Sequence, residues 1–240
     1  MQEQRPSFPF NLIEGMMPKF PMIAVAGWMM VLVAFLVGAT ALSSAQATFY
    51  SDARAVREGA SAGSAFVQAS VDSHVIETWL PQFKFLGLGL GLMAITMALG
   101  SIAKRLRRMG QVISNHLPDD LRPPMPPVPL RVRVFQLSTL MGVMILLAAL
   151  VIGIVLATGV VPAYYNYSIA NELDLAQPGS ALLAQLGLVG SFADWLNPLR
   201  MLGMAFLFTA ITLALTVIIG TLRTQSAMLV RFQAEASSRR

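Results

Sequence analysis

The chain has 240 residues, of which 55% are apolar and 12% charged, whereas a soluble domain carries about 25% charged residues. It has no cysteine, which excludes disulfides, iron–sulfur clusters, thiolate zinc sites, a cysteine nucleophile and a lipidated cysteine anchor. The net charge is +5, and its placement matters more than its sign.

In chain order, a cytoplasmic or interfacial segment (1–21) leads into an uncharged stretch at 22–42. Three more such stretches follow, at 85–103 between Lys84 and Lys104, at 138–160, and at 201–222 between Arg200 and Arg223. About 20 apolar residues cross the roughly 30 Å of hydrocarbon as a helix, and only a helix satisfies its own backbone there. The expected fold class is therefore all-α, a polytopic membrane protein with four transmembrane helices. Ala45-Gln46-Ala47 has the form of a signal-peptidase site. The apolar core before it is about twice the usual 7–15 residues, so the segment is expected to stay as a span.

The spans group into a first hairpin (22–107, outer loop 44–80) and a second (134–223, outer loop 161–199). A basic, proline-rich linker (108–133) joins them and a tail (224–240) follows. Thirteen of the 17 basic residues fall in the N-terminal segment, the linker region and the tail. The loops carry Arg54, Arg57, Lys84 and Arg200 beside seven acidic residues. Basic ends face the cytoplasm, so both termini are expected there, and the Ala/Leu/Arg-rich composition points to a bacterial inner membrane.

Shifting the chain by 116 residues aligns Trp79-Leu80 with Trp195-Leu196, Leu86-Gly87 with Leu202-Gly203, and Ala94-Ile95-Thr96 with Ala210-Ile211-Thr212. In all, 12 of the 29 positions from 79 to 107 are identical. At an offset of 114, Tyr50 falls on Tyr164 and the first and third spans match more loosely. Two hairpins of one orientation make a parallel repeat. Trp79 and Trp195 are expected at the membrane interface, with Lys84 and Arg200 reaching to the headgroups. Pro81 and Pro198 suit a first helical turn, where a missing N–H costs nothing. Gly87, Gly91, Ala94 and Ala98, and in the second unit Gly203, Ala210 and Ala214, form small-residue faces for helix packing, within the chain or between subunits.

In the linker, Lys104, Arg105, Arg107 and Arg108 are placed to touch anionic headgroups, and the prolines from Pro118 to Pro129 favour a stiff extended spacer. Pro126, Pro129 and Arg131 match a PxxPxR docking pattern, read here as part of that spacer. The first outer loop is expected to be helical, and a short helix is expected at about 180–188 after Pro178-Gly179.

For chemistry, Asp72, His74 and Glu77 are the candidate metal or acid–base set, since His74 and Glu77 share a helix face. A solvated helix face is the competing reading. The 15 methionines are scattered, which is apolar filling rather than a copper site. Neither His74 nor His116 lies within a span, which excludes a haem held between two intramembrane histidines. No cofactor or nucleic-acid pattern is evident. The spans hold no Asp, Glu, Lys, Arg or His at depth, so proton relays, ion coupling and voltage sensing lack their usual groups.

The expected partners are the lipid bilayer and other membrane subunits. The first expectation is a non-catalytic subunit that packs within, stabilises or organises a larger membrane complex. An oligomeric pore or carrier for a small neutral solute comes second, and an outer-face metal-binding or enzyme subunit third.

Overall fold

A computed structural model describes residues 15–116, 130–166 and 178–238. The proline-rich core of the linker, residues 1–14, and Glu172 and Asp174 lie outside the described residues.

Among the described residues every regular element is helical. A 3-10 turn, Met17–Lys19, leads into α1 (Phe20–Val37), a π-helical turn (Gly38–Leu42) and α2 (Ser43–Phe49). Then come α3 (Arg54–Glu58) and α4 (Ala65–His116). Helix α5 (Leu130–Val155) continues through a second π turn (Leu156–Val160) into α6 (Val161–Tyr165), and α7 (Ala181–Ser238) closes the chain. Four helical segments are long and apolar enough to cross a membrane: Met17–Phe49, Ala65–Val112, Leu130–Tyr165 and Ala181–Val230. The protein is a four-span, all-α integral membrane protein, with apolar helix surfaces suited to lipid.

Helices α4 and α7, of 52 and 58 residues, rise about 1.5 Å per residue and extend to roughly 78 and 87 Å. Hydrocarbon spans only about 30 Å, so each helix carries its span and several turns beyond it. Both start the same way. Gly63 (φ +82°) and Gly179 (φ +78°) adopt the left-handed turn that glycine favours. Ser64 Oγ then accepts the Val67 N–H at 3.4 Å, and Ser180 Oγ the Leu183 N–H at 3.1 Å. Each serine thus caps one of the four free amides at its helix start.

Two expectations are corrected here. The helix expected at about 180–188 is no separate element but the start of α7, which runs on unbroken through Gly187, Gly190 and Pro198. Pro81 and Pro198 lie inside α4 and α7 rather than in first turns. Each proline therefore leaves one carbonyl unbonded, that of Glu77 or of Asp194, which long apolar helices tolerate when their remaining ladder is intact.

The contacts form two compact units. The termini unit comprises Met1–Ala24, Gly91–Gly142 and Ala205–Arg240, and the loop unit Val25–Leu90 and Val143–Met204. Each draws on all four spans, so the units cut across the hairpins rather than separating them. In the termini unit Met17, Phe135 and Ala214 form a core with Leu99, Val132 and Leu140 against it. In the loop unit the core is Ala149, Leu156 and Leu196, flanked by Ile152, Phe192 and Leu199.

Still within the loop unit, α1 meets α4 at two glycines. A Cβ on Gly87 would lie 2.9 Å from the Gly27 carbonyl oxygen and 2.9 Å from Met30 Cβ. Glycine is therefore what lets the two backbones approach this closely.

Candidate functional site: a polar cleft in the loop unit

Helices α4, α6 and α7, with the π turn before α6, surround a cleft of about 340 Å³. Its polar lining comes from His74, Glu77, Thr78, Gln82, Tyr165 and Arg200, and its apolar lining includes Leu156, Phe192 and Leu196.

Gln82 is 4% exposed. Its Nε2 donates to the Thr78 carbonyl at 3.1 Å, while its Oε1 is closed off from solvent and accepts nothing. The Thr78 carbonyl can only accept, so the nitrogen belongs on that side of the amide and the oxygen is the orphan. Gly153 on α5 makes room for this side chain: a Cβ there would lie 2.7 Å from Gln82 Cγ. Arg200 is half-buried, with its guanidinium 4.9 Å from the Phe85 ring centroid and Nη2 donating to Asn197 Oδ1 at 3.0 Å. Its Nε is buried without a partner. An orphaned buried polar atom costs about 1–3 kcal/mol, and this cleft holds two, one acceptor and one donor.

At the same cleft His74 stacks on Tyr165, ring centroids 3.8 Å apart. Its Nδ1 lies 2.8 Å from the Ser70 carbonyl, so Nδ1 carries a proton and Nε2 is the nitrogen with a lone pair to offer when the ring is neutral. Glu77 Oε1 accepts from Gln46 Nε2 at 3.0 Å. Outside the cleft, Arg57 lies over Phe49 and Tyr50, 4.8 and 4.9 Å from their centroids. Arg54 pairs with Glu58, whose hydrogen bond raises the Arg54 pKa further above its ordinary value.

Of the set Asp72, His74 and Glu77, the structure brings His74 and Glu77 to the cleft, while Asp72 is exposed and takes no part in the lining. Among the described residues no group of three or more His, Cys, Asp or Glu gathers where a metal ion would need them. The ring of His116 lies outside the described side chains.

The small-residue faces are largely used within the chain. Ala94, Gly203, Ala210 and Ala214 are buried, as is Gly87 against α1, whereas Ala98 is half-buried and Gly91 faces open space. Trp79 stands edge-on to Phe83, Trp195 tilts against Phe192, and Lys84 is exposed. The Arg200 guanidinium lies over the Phe85 ring, whose face attracts its cation.

Sequence reasoning missed Gln82, Gly153 and Tyr165. An amide side chain directly after an intrahelical proline was the available signal for Gln82. Gly153 had none, since its role depends on which helix lies opposite.

No family of known proteins matches the chain, and neither a curated protein nor a solved structure gives a match.

Proposed function

We propose that the protein is a non-catalytic integral membrane subunit that stabilises or organises a larger membrane assembly. The observation that carries this reading is the first span. Only 11% of its most apolar stretch is buried within the chain, against 44% for the second span. Apart from the glycine contact with α4 and a buried Ala34, α1 presents large side chains outward: Trp28 is 75% exposed, Met22 72% and Phe35 68%. Such a helix is held on one narrow face and leaves a broad aromatic and aliphatic face for another protein's helix. The small-residue faces, by contrast, are largely taken up inside the chain. On this reading the assembly lies in a bacterial inner membrane with both termini cytoplasmic, which the basic residues at the ends of the chain support.

The test is a photo-crosslinking amino acid at Trp28 or Phe35 in native membranes. A discrete protein adduct is expected from these positions and none from Ala94. Lipid adducts alone would overturn the reading.

We also infer that the two hairpins arose by duplication. Matching glycine turns and serine caps before α4 and α7 support it, as do π turns that each contain an Ala-Thr pair (Ala39-Thr40 and Ala157-Thr158).

A second reading, a carrier or pore for a small neutral polar solute, is favoured by the cleft. Gln82 Oε1 and Arg200 Nε are one acceptor and one donor that nothing in the closed cleft satisfies. A solute with both kinds of group meets them once the helices part. Flux of a small neutral amide or polyol into proteoliposomes that is lost in Gln82→Leu supports this reading. Equal flux in both proteins removes it.

A further inference from the structure

The termini unit contains a second hollow, of about 660 Å³, between α4, α5, α7 and the turn at Met17. Its basic lining is Lys104, Arg107 and Arg131, and among the described residues that line it none is acidic. The charge is ordered along α4 and α5. On α4, Gly100 and Ala103 lie on the span side and Lys104 and Arg107 toward the end. On α5, Arg131 stands at the start of the helix, with Val132 and Phe135 further into the span. On these two helices the lining is thus cationic toward the span ends and uncharged toward the span centre, and α7 adds only uncharged residues, Val217 among them.

Glycines shape the wall in two ways: a Cβ on Gly220 would meet nothing within 4 Å, whereas Gly100 lets Met17 and Phe135 pack close. A Cβ on Gly100 would meet Met17 Cε at 3.0 Å and Phe135 Cζ at 3.4 Å. At the far edge Gln225 Nε2 donates to the Leu106 carbonyl at 2.6 Å, tying α7 to α4.

We propose that this cavity binds an anionic phospholipid, with its phosphate at Lys104, Arg107 and Arg131 and the start of its acyl chains against Val132, Phe135 and Val217. Basic pockets between spans recognise such headgroups by charge, and about 660 Å³ lies within the usual range of small-molecule sites, roughly 300–1,000 Å³. A free phosphate matches the cations but leaves the apolar part of the cavity unused. A zwitterionic lipid matches the apolar part but presents no net charge. Only an anionic amphiphile uses both, and its order of polarity is that of the cavity.

The experiment uses the full chain purified in a mild nonionic detergent. Thermal unfolding and native mass spectrometry are followed with added dioleoylphosphatidylglycerol, dioleoylphosphatidylcholine, or inorganic phosphate. Phosphatidylglycerol is expected to stay bound and raise the unfolding temperature, and the other two are expected to do neither. The combined variant Lys104→Gln, Arg107→Gln, Arg131→Gln is expected to lower the phosphatidylglycerol affinity about a hundredfold, from roughly fivefold per cation.

Gly220→Leu, which places a side chain in the cavity where a Cβ meets nothing within 4 Å and leaves every charge in place, provides the second arm. It is expected to displace the lipid while the helical circular dichroism is unchanged. Equal binding of phosphatidylglycerol and phosphatidylcholine overturns the proposal. So does full retention in the charge variant. Stabilisation by inorganic phosphate alone assigns the cations to a free anion and overturns the lipid.

Discussion

Two glutamines mark the contrast between the loop unit and the termini unit. Gln225 reaches from α7 to the Leu106 carbonyl on α4 and ties two helices together through one strong amide bond. Gln82 bonds only within its own helix, to Thr78, and leaves its oxygen with no donor. The arginines follow the same division. Arg57 and Arg200 of the loop unit lie over aromatic rings, whereas Lys104, Arg107 and Arg131 of the termini unit line one cavity. Polar groups that join elements stabilise a bundle. Polar groups left unsatisfied in a cleft destabilise it, and they persist where something besides stability needs them. The contrast therefore sets a part-buried cross-helix tie in the termini unit against the unmet polar capacity of the loop unit, whose own cross-helix tie, Gln46 to Glu77, is exposed.

The largest effect that sharpens this contrast is expected at the glycine crossing of α1 and α4. Gly87→Leu places a side chain where even a Cβ lies 2.9 Å from the Gly27 carbonyl. Backbone cannot move aside as a side chain can, and the loss is expected to reach about 3 kcal/mol, the upper end of ordinary overpacking. Denaturant titration of the detergent-solubilised protein measures it. Gly91→Ala is the matched control, because nothing lies within 4 Å of that position. It is expected to gain about 0.5–1 kcal/mol from helix propensity. Equal losses in both variants would show that the crossing is not what the glycine serves.

Next in size is Gly153→Ala in the loop unit. The new Cβ would meet Gln82 Cγ at 2.7 Å and the Thr78 carbonyl at 3.3 Å, and a cost of about 2 kcal/mol is expected. Most of that cost should vanish in the Gln82→Ala background, since the clash is with that side chain. A thermodynamic double-mutant cycle reads the coupling. Strictly additive losses would mean that Gly153 makes room for something other than Gln82.

The four spans were legible because their signal is composition over about 20 residues, which no tertiary contact can rewrite. The helices that surround the spans were only half legible. Pro178-Gly179 marked the start of α7 correctly, but Pro198 was read as a beginning when it lies well inside the helix. A proline reports a lost hydrogen bond, not which side of it the helix lies on. His74 and Glu77 were found by their shared face on one helix, a local property. Gln82, four residues beyond Thr78 and eight beyond His74, lies on the same face of α4 and was missed, whereas Tyr165 joins the cleft from α6 and Gly153 packs on Gln82 from α5, meetings set by inter-helix register that no spacing within one segment encodes. The cationic cavity shows the same limit: the cluster around Lys104 was visible, while Arg131 joins it only through the packing of α5.

A smaller effect tests the two glutamines directly. Gln225→Leu breaks the tie to Leu106, whose carbonyl its own helix still bonds, and is expected to cost about 1 kcal/mol, the net worth of a typical bond. Gln82→Leu removes an unsatisfied oxygen, frees a carbonyl that its own helix still bonds, and is expected to be neutral or stabilising by about 1 kcal/mol. The same substitution in the two units thus carries opposite signs. Equal destabilisation would place Gln82 among the structural ties and end the contrast.

The smallest effect is expected at Arg57, whose guanidinium lies over Phe49 and Tyr50 at 4.8 and 4.9 Å while its Nε has no partner. The two rings follow α1 through its π turn, so this cation is what fastens α3 to the end of α2. A cation over an aromatic face contributes about 0.5–1 kcal/mol where it is partly solvated. Arg57→Gln keeps most of the stem and removes the charge. Amide hydrogen exchange in Arg54–Glu58 is expected to quicken by roughly two- to fivefold, with no change in the helix cores. Arg54→Gln breaks the neighbouring pair with Glu58 on the exposed side of α3 and is expected to leave exchange close to its original rate, because surface ion pairs contribute little. If the two variants behave alike, the rings do not hold the loop, and the loop unit would owe the order of its first loop to backbone hydrogen bonds alone.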